Sequence, residues 1–226
     1  LNPKCLEETI KNFHDTDFRY QNLVESYKNA DCYKQQEVFK LYQYVNDQIK
    51  YTVNINKMVL NNEVPLRVVH NDTKINNIVF NKYTNKGKCL IDLDTVMPGT
   101  LLFDYGDALR SIGSNLSEES IEFDKIEFSV NNLIYFTIGY LNSVNDMLEE
   151  VEYNHLFDSI YMITFECGMR FLTDYLENDK YFTVKHSKHN LNRAINQLTL
   201  AKNIKEKELI IKKILYNLEK RIRFIE

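Results

Sequence analysis

Residues that interrupt helices are scarce in this chain. Its 226 residues include six glycines, three prolines and no tryptophan. Because glycine and proline are the strongest breakers of regular structure, their scarcity favours long helices. The glycines are also scattered, so no Gly-x-Gly sequence occurs, and the chain lacks a glycine-rich loop of the kind that covers nucleotide phosphates.

The cysteines do not form a metal-binding or disulfide pattern. Four of them are widely separated along the chain, and none belongs to a Cys-x-x-Cys pair. A zinc site is therefore not expected, and a chain of this length does not need disulfides to stabilise its core. We expect reduced thiols and a cytoplasmic location. The four residues are Cys5, Cys32, Cys89 and Cys167.

Two further absences narrow the class of partner. No apolar run approaches the about 20 residues that span a bilayer, and the N-terminal residues lack a signal-peptide pattern. The net charge is -4, whereas a surface that binds nucleic acid is normally basic. We therefore expect neither a membrane nor a nucleic-acid partner, and we expect residues 1–226 to form a single domain.

The pattern of apolar residues predicts a mainly helical, α+β fold. Apolar positions at helical spacing indicate one or two helices in residues 18–52 and a buried helix in residues 153–178. A β-branched run at 66–70 and a β-hairpin formed by 78–80 and 89–91 supply a small β element. Further helices are predicted at 103–112, 127–143, 188–203 and 205–223.

One short stretch carries most of the chemical information. Residues 70–77 read His-Asn-Asp-Thr-Lys-Ile-Asn-Asn, which has the spacing His-x-Asp-x-x-x-x-Asn of a kinase catalytic loop. Asp92 follows fifteen positions after Asn77, in an apolar-Asp-x-Asp context. This is the context of the later aspartate that holds Mg²⁺ in kinases. The β run before the loop and the hairpin after it strengthen the interpretation, because such loops lie at the ends of short strands.

Each residue of this set can contribute to phosphoryl transfer. Asp72 is the candidate base that accepts or orients the proton of the acceptor hydroxyl. Lys74 is expected to neutralise the transferring phosphoryl group. Asn77 and Asp92 offer the hard oxygen ligands that Mg²⁺ prefers. Asp94 would point the same way as Asp92 in an extended segment, as a second ligand or a cleft-lining carboxylate.

Two neighbouring residues are expected to support the loop. His70 is expected to brace it through hydrogen bonds rather than to take part in the chemistry. Asp104 is expected to brace the same loop from below. Alternatively, Asp104 is the N-cap of a helix that has Asp107 in its first turn.

Several linked motifs resemble the aminoglycoside phosphotransferase and choline kinase family, and within it the N-acetylhexosamine 1-kinases. The loop at 70–77, the Asp-Leu-Asp-Thr-Val-Met-Pro-Gly sequence at 92–99 and the Phe-Asp-Tyr-Gly-Asp sequence at 103–107 carry the resemblance. So do the Glu-Cys-Gly-Met-Arg-Phe-Leu-Thr-Asp-Tyr-Leu sequence at 166–176 and residues 181–191. The resemblance therefore covers nearly the whole chain.

The resemblance implies a two-lobed, protein-kinase-like fold, of which this chain would be the C-terminal catalytic lobe. It implies ATP and Mg²⁺ as cofactors, and it implies the anomeric hydroxyl of N-acetylglucosamine or N-acetylgalactosamine as the phosphate acceptor. On this resemblance Asp72 would be the base, and Asn77 and Asp92 would be the metal ligands. Arg170 and Tyr181 would contact the sugar.

An N-terminal lobe of the same protein, with its nucleotide lid, would then be the partner of this chain. Because that lobe would supply the lid and part of the sugar pocket, we expect the 226 residues alone to bind ATP poorly and to be nearly inactive. One departure from the family is Asn71, which stands where glycine is usual. Asparagine also tolerates unusual backbone angles, so the departure does not exclude function.

Other functions are also considered. A related small-molecule kinase could act on an aminoglycoside, which favours an acidic cleft, or on choline, which favours an aromatic cage. A pseudokinase-like binding module is a non-catalytic alternative. The missing lid favours that module, and the intact set of Asp72, Asn77 and Asp92 argues against it. For Arg170 the alternative is an ion pair on a helix surface, and for Tyr181 it is a place at the edge of the core.

Overall fold

Helices form most of the structure. The computed structural model describes residues 2–223, apart from the side chains of residues 145 and 223. Within these residues nine α-helices follow one another, joined by loops and short 3₁₀ turns. They are α1 (Thr16–Asn29), α2 (Cys32–Gln48), α3 (Ile55–Leu60), α4 (Leu101–Ile112), α5 (Val130–Val144), α6 (Glu150–Asn154), α7 (Leu156–Leu176), α8 (His189–Glu206) and α9 (Glu208–Arg223).

Four short strands lie between α3 and α4 and form two antiparallel pairs. They are β1 (Arg67–Val69), β2 (Ile78–Phe80), β3 (Gly87–Leu90) and β4 (Met97–Gly99). β1 pairs with β4, and β2 pairs with β3 as a hairpin. The β1–β4 pair therefore brings together the two ends of the segment 70–96. This segment contains residues 70–77, called the candidate loop below, and the β2–β3 hairpin.

The predicted fold class is confirmed, because helices dominate and the β element is small and antiparallel. The stretch 18–52 contains two main helices, since Ala30 is extended and Asp31 caps α2 by accepting a hydrogen bond from the Lys34 N–H. The helix expected at 153–178 is divided into α6 and α7, which meet at His155. No helix in the described residues is both long and apolar enough to cross a membrane.

The sequence does not predict the short helix α3 or the strand β4. β4 consists of Met97, Pro98 and Gly99, and proline and glycine are depleted in strands. Proline is tolerated in an edge strand, where its nitrogen does not need to donate. Gly99 is required by close packing, because a Cβ there would lie 2.5 Å from Val69 Cγ2 and 3.2 Å from Asn71 Oδ1.

α7 is the centre of the core. Seventeen of its 21 residues are buried, among them the apolar residues Leu156, Ile160, Ile163, Phe171 and Tyr175, which recur at helical spacing. A helix that is buried on nearly all sides must be surrounded by other elements. The helices α1, α4 and α8 pack against it. These helices and the loops that join them position the candidate site.

The crossing of α4 over α7 is close at Gly106. A Cβ at this position would lie 2.5 Å from the Ser159 carbonyl oxygen and 2.9 Å from Ile163 Cγ1. The two helices can approach this closely because residue 106 has no side chain. The crossing fixes α4, which carries Asp104, against the core.

We expect Gly106→Ala to lower the free energy of unfolding by about 1–3 kcal/mol, because the added methyl group overpacks the α4–α7 crossing. Gly139→Ala is the matched control, since nothing lies within 4 Å of a Cβ at this exposed helical position. The control should raise the free energy of unfolding by about 0.5–1 kcal/mol through helix propensity. Urea unfolding measures both values, and a stabilised Gly106→Ala variant would contradict the close crossing.

Candidate functional site

The candidate loop is held by one carboxylate from α4. Asp104 accepts a hydrogen bond from the His70 N–H at Oδ2 (3.0 Å) and from the Asn71 N–H at Oδ1 (2.7 Å). Its carbonyl accepts a third bond, from the Thr73 hydroxyl (2.6 Å). Burial raises the pKa of Asp104, and the two N–H donors offset part of that rise. The predicted bracing role is confirmed, whereas the N-cap interpretation is wrong because Thr100 caps α4.

Asn71 has a left-handed backbone conformation, with a φ of 64°, and its side chain is buried. Its Nδ2 donates to the Thr95 carbonyl (3.1 Å), and the Thr95 hydroxyl donates to the His70 carbonyl (2.7 Å). Asparagine is among the few residues that adopt this conformation at low cost, so its expected tolerance is confirmed. These bonds connect the loop to the segment that follows Asp92.

His70 connects the loop to the hairpin. Its Nε2 lies 3.1 Å from the Ile91 carbonyl oxygen and donates to it, because a carbonyl can only accept. Its Nδ1 is buried and has no hydrogen-bond partner in the described part of the chain. The predicted bracing role of His70 is confirmed, since this bond fixes the backbone directly before Asp92.

Asp72, Lys74 and Asn77 lie together. Oδ2 of Asp72 accepts hydrogen bonds from Lys74 Nζ (2.7 Å) and from Asn77 Nδ2 (2.9 Å). Nδ2 of Asn77 also donates to the Asp72 carbonyl (2.8 Å), which closes the loop on itself. The two donors fix the direction of the carboxylate, and no described residue donates to its Oδ1.

Asn77 and Asp92 lie at the same end of the hairpin. Ile78 is opposite Leu90 in the ladder, and the Ile91 N–H donates to the Asn77 carbonyl (2.9 Å). Asp92 is the next residue after this bond. Its φ of 62° is uncommon for a residue other than glycine, and such conformations are enriched at functional sites. The Asp92 side chain is exposed.

This pair fits a Mg²⁺ site that a nucleotide completes. Nδ2 of Asn77 is bonded to Asp72, which leaves the amide Oδ1 for a cation. Among residues 2–223, no three His, Cys, Asp or Glu side chains converge on a possible metal position. Mg²⁺ commonly uses one or two carboxylates together with phosphate oxygens and waters. An amide and a carboxylate can therefore hold the ion when phosphates are present.

The side chain of Asp94 does not point the same way as that of Asp92, contrary to the prediction. The segment is not extended, because Leu93–Thr95 forms a 3₁₀ turn directly after the left-handed Asp92. Residues two apart share a face in a strand but not in a helical turn. The prediction that both carboxylates point the same way is therefore wrong. The Asp94 carbonyl instead accepts a hydrogen bond from the Thr9 hydroxyl (3.1 Å).

A cleft of about 360 Å³ opens beside the loop. Four of the predicted site residues line it: Asp72, Lys74, Arg170 and Tyr181. Asn77 and Asp92 are not among the lining residues and lie at the hairpin end. The loop therefore separates a cleft that can take an acceptor from a hairpin end that can take a metal.

Arg170 lies among three aromatic rings of this cleft. Its guanidinium carbon is 4.8 Å from the centre of the Phe13 ring, 5.5 Å from that of Phe182 and 5.7 Å from that of Tyr181. Distances within about 6 Å are typical of cation–π contacts. Arg170 is half-buried and forms no salt bridge with a described residue, so the alternative of an ion pair on a helix surface is wrong.

Tyr181 is held at the cleft by an anchored loop. The N–H groups of Tyr181 and Phe182 donate to the two carboxylate oxygens of Asp174 on α7 (2.7 and 2.9 Å). The Asn190 side chain donates to the same carboxylate (2.8 Å). Tyr181 is 63% exposed, so the alternative of a place at the edge of the core is wrong.

An ion cluster that the sequence analysis missed forms part of the cleft wall. Buried Arg110 donates from Nε to Asp107 Oδ1 (2.8 Å) and from Nη1 to Glu118 (2.6 Å) and Gln197 (3.2 Å). Oδ2 of Asp107 is buried without a partner in the described residues. Asp107 lies in the middle of α4, so its expected place in a first turn is wrong. The Asp-x-x-Arg spacing on a helix is the signal that could have indicated the pair.

Glu119 joins the loop after α4 to α8 and the loop that precedes it. Its carboxylate accepts bonds from His189 Nε2 (2.6 Å), Lys185 Nζ (3.0 Å) and the Arg193 guanidinium (2.6 and 3.0 Å). Burial alone would raise the pKa of Glu119, but the bonds from these three side chains outweigh burial and lower the pKa from its ordinary 4.5 to about 2. Because Arg193 also lines the cleft, the cluster fixes part of the cleft wall.

Phosphoryl transfer requires the acceptor and the metal-bound phosphate to meet at one fixed carboxylate. The loop meets this requirement, since Asp72 lines the cleft and accepts a hydrogen bond from the side chain of Asn77, which directly precedes the first strand of the hairpin. This geometry is that of a kinase-type phosphotransferase.

The comparison with known families agrees with this class. The chain belongs to the phosphotransferase enzyme family, whose model (APH) matches residues 11–124. Of the six predicted site residues, the matched segment contains all but Arg170 and Tyr181. Kinases of this family use ATP, typically with Mg²⁺. Membership therefore supports an ATP-dependent phosphotransferase.

The lowered pKa of Glu119 leads to a prediction about pH. A carboxylate with a lowered pKa in the folded state stabilises the protein above its unfolded pKa, and this contribution is lost as the pH falls through the folded pKa. We therefore expect Glu119→Gln to lower the free energy of unfolding most above about pH 5, and we expect the difference from the original chain to shrink toward about pH 3.

Urea unfolding at a series of pH values measures this difference. Glu7→Gln is the control, because Glu7 is exposed and forms no salt bridge with a described residue. A Glu119→Gln difference that grows as the pH falls would contradict the assigned ion cluster.

Proposed function

We propose that the chain is the catalytic lobe of an ATP-dependent kinase that phosphorylates the anomeric hydroxyl of N-acetylglucosamine or N-acetylgalactosamine. One observation carries the proposal: Asp72 lies between the two binding regions. It lines the cleft that contains Arg170 and Tyr181. It also accepts a hydrogen bond from Asn77, which lies at the start of the hairpin that ends beside Asp92.

Asp72 is the base in this proposal. Its Oδ2 is engaged by Lys74 and Asn77, so Oδ1 is the atom that accepts the hydroxyl proton. The acceptor oxygen forms a bond to the γ-phosphorus as the bond from that phosphorus to the bridging oxygen breaks and ADP leaves. Lys74 Nζ lies 2.7 Å from the same carboxylate. A cation at this place can offset the negative charge of the transferring phosphoryl group.

Asn77 and Asp92 would hold Mg²⁺ through an amide oxygen and a carboxylate. When bound with ATP, this ion compensates the negative charge of the phosphates. The left-handed backbone of Asp92 and the bond from the Ile91 N–H to the Asn77 carbonyl keep the two ligands at one end of the hairpin. Because the backbones of both residues are held at this end, less order would have to be gained when the metal and nucleotide bind, which would lower the entropy cost of binding.

The cleft favours a neutral acceptor over choline. A choline site needs free aromatic faces around a cation. Here Phe13, Tyr181 and Phe182 surround Arg170, so a fixed guanidinium already occupies the place of that cation. A second cation would be repelled. Sugar hydroxyl and acetamido oxygens can instead accept hydrogen bonds from the guanidinium.

The balance of charge in the cleft argues against an aminoglycoside. Four cationic and four carboxylate side chains line the cleft, so a polycation would meet no excess of negative charge. The cations are Lys74, Arg110, Arg170 and Arg193, and the carboxylates are Asp72, Asp107, Glu118 and Glu166. The volume of about 360 Å³ lies in the range of sites for small molecules.

We infer that a nucleotide-lid lobe of the same protein covers the hairpin, and that this chain is the C-terminal lobe. Large apolar side chains are exposed on the hairpin and the turn after it, and a concentration of exposed apolar side chains in one element favours contact with another part of the protein. They are Val79, Phe80, Leu90, Ile91 and Leu93. No Gly-x-Gly lid occurs within the 226 residues, which supports a lid on another lobe.

ADP release by the complete gene product tests this function. The assay would use Mg-ATP with N-acetylhexosamines, aminoglycosides and choline, and the 226-residue chain would be assayed in parallel. Activity confined to N-acetylhexosamines, with phosphate on the anomeric oxygen of the product, supports the proposal. Activity on an aminoglycoside or choline would overturn the acceptor but keep the transfer chemistry. A folded protein that uses no acceptor would favour the binding-module alternative.

Asp72→Asn should lower kcat of the complete gene product by about 10²–10⁴-fold, because the amide cannot accept the hydroxyl proton. The circular dichroism spectrum should be unchanged. Asp124→Asn, at an exposed carboxylate outside the cleft, is the control and should keep the original kcat. If Asp72→Asn lowers kcat by less than tenfold, Asp72 is not the base.

Arg170→Ala should raise KM for the sugar by about tenfold or more and leave KM for ATP nearly unchanged, because a guanidinium bond to the sugar is lost. The variant also vacates the space between three aromatic rings. We therefore expect tetramethylammonium to inhibit Arg170→Ala more strongly than the original enzyme. If KM for the sugar and KM for ATP change equally, and inhibition by tetramethylammonium is unchanged, Arg170 has a purely structural role.

A further inference from the structure

A buried histidine connects the helical core to the candidate loop. His14 lies just before α1 and is 7% exposed. Its Nδ1 lies 3.0 Å from Glu166 Oε1 on α7, and its Nε2 lies 3.2 Å from the Asn71 carbonyl oxygen. The Thr16 hydroxyl donates to the second oxygen of Glu166 (3.1 Å). His14 is therefore in direct contact with the residue that precedes Asp72.

The partners of His14 determine where its hydrogens lie. The Asn71 carbonyl can only accept, so Nε2 must carry a hydrogen and donate it. The hydrogen bond between Nδ1 and Glu166 requires a second proton, which either Nδ1 or the carboxylate carries. In both cases Nε2 keeps its own hydrogen. The ring itself is held between Phe13 and Phe103, whose centres lie 4.6 and 4.8 Å from its own. Glu166 thus selects the form of His14 that donates to the loop.

The hydrogen bond from His14 is made to the peptide unit between Asn71 and Asp72, to which Asp104 forms no hydrogen bond. Asp104 fixes the N–H groups of His70 and Asn71. The Asn71 carbonyl belongs to the next peptide unit, which is planar and ends at the nitrogen of Asp72. Rotation of this unit would move the Asp72 carboxylate. A hydrogen bond to its carbonyl opposes that rotation.

We propose that His14 and Glu166 are positioning residues for Asp72. Glu166 holds His14 in the Nε2-donating form, and His14 holds the peptide between Asn71 and Asp72. This inference rests on the proposed role of Asp72 as the base. Glu166 is only 1% exposed, and a carboxylate buried to this extent must be paired. A role in stability alone is therefore the alternative that the test must separate.

Two amide substitutions of His14 separate these roles. Glutamine can place its amide nitrogen near the position of Nε2, so His14→Gln can keep the bond to Asn71 while it loses the bond to Glu166. Asparagine can place its amide nitrogen near the position of Nδ1, so His14→Asn can keep the bond to Glu166 while it loses the bond to Asn71. A positioning role predicts that His14→Asn is the slower enzyme. A role in stability alone predicts no such order in kcat.

In the complete gene product we expect His14→Asn to lower kcat by about tenfold to hundredfold, because a displaced aspartate slows the reaction more than it weakens binding. KM for Mg-ATP and for the acceptor should change by less than about threefold. His14→Gln should keep kcat within about fivefold of the original value. Equal kcat values for the two variants, or a lower value for His14→Gln, would overturn the proposal.

His14→Gln leaves the Glu166 carboxylate with only the Thr16 hydroxyl as a donor among the contacts described above, which could unfold the variant. The double variant His14→Gln/Glu166→Gln removes this buried charge and keeps a donor for Asn71. The same kcat expectation applies to the double variant. A folded double variant that is as slow as His14→Asn would overturn the proposal.

The amide 15N signal of Asp72 in the 226-residue chain gives a readout that does not depend on turnover, because the 15N shift of an amide responds to hydrogen bonding at the carbonyl of the same peptide unit. Relative to the original chain, the Asp72 signal should move further in His14→Asn than in His14→Gln, while the His70 signal, whose N–H Asp104 holds, should move equally little in both. If the Asp72 shifts are equal in the two variants while the complete protein transfers phosphate, the positioning role fails and the proposed function stands. If no acceptor is phosphorylated, the proposed function fails and the positioning role with it, even where the shifts confirm the contact.

Discussion

The hydrogen bonds from the backbone N–H groups of His70 and Asn71 to the Asp104 carboxylate hold the candidate loop against α4. A loop that moved away would leave a largely buried carboxylate without these donors, and an unsatisfied buried group costs about 1–3 kcal/mol. The position of α4 depends in turn on its close crossing with α7 at Gly106. The backbone of the loop at His70 and Asn71 is therefore fixed by the helical core, and Lys74 and Asn77 orient the Asp72 carboxylate from this fixed point.

The loop divides the site into two regions whose functional side chains have different surroundings. On the cleft side, Arg170 is enclosed by aromatic rings, and the loop that carries Tyr181 is anchored on Asp174. On the hairpin side, the Asp92 side chain is exposed and the amide oxygen of Asn77 faces no donor in the bonds described above. This difference suits a phosphotransferase, because an acceptor must be recognised by fixed groups, whereas a metal–nucleotide complex brings further ligands of its own.

The loop residues could be predicted from the sequence because their relation is one of local spacing. Five positions separate Asp72 from Asn77, and the structure joins their side chains directly. The contacts of His14 with Glu166 could not be predicted in this way, because they join segments far apart in the chain. The error at Asp94 has a local cause, since the left-handed backbone of Asp92 turns a segment that was expected to be extended. The long helices were predicted because their apolar periodicity extends over many residues. The helix α3, with six residues, and the strand β4, with three residues that include proline and glycine, are too short for such a pattern.

The position of the nucleotide-bound metal is the most direct measurement. Mn²⁺ can replace Mg²⁺ in ATP complexes, and its unpaired electrons broaden the NMR signals of nearby nuclei. In the complete gene product with Mn-ATP, we predict the strongest broadening at the amides of Asn77 and Asp92, weaker broadening at Asp72 and none along α9. Strong broadening elsewhere, with the signals of the loop and hairpin end unchanged, would contradict the assignment of this loop to phosphoryl transfer.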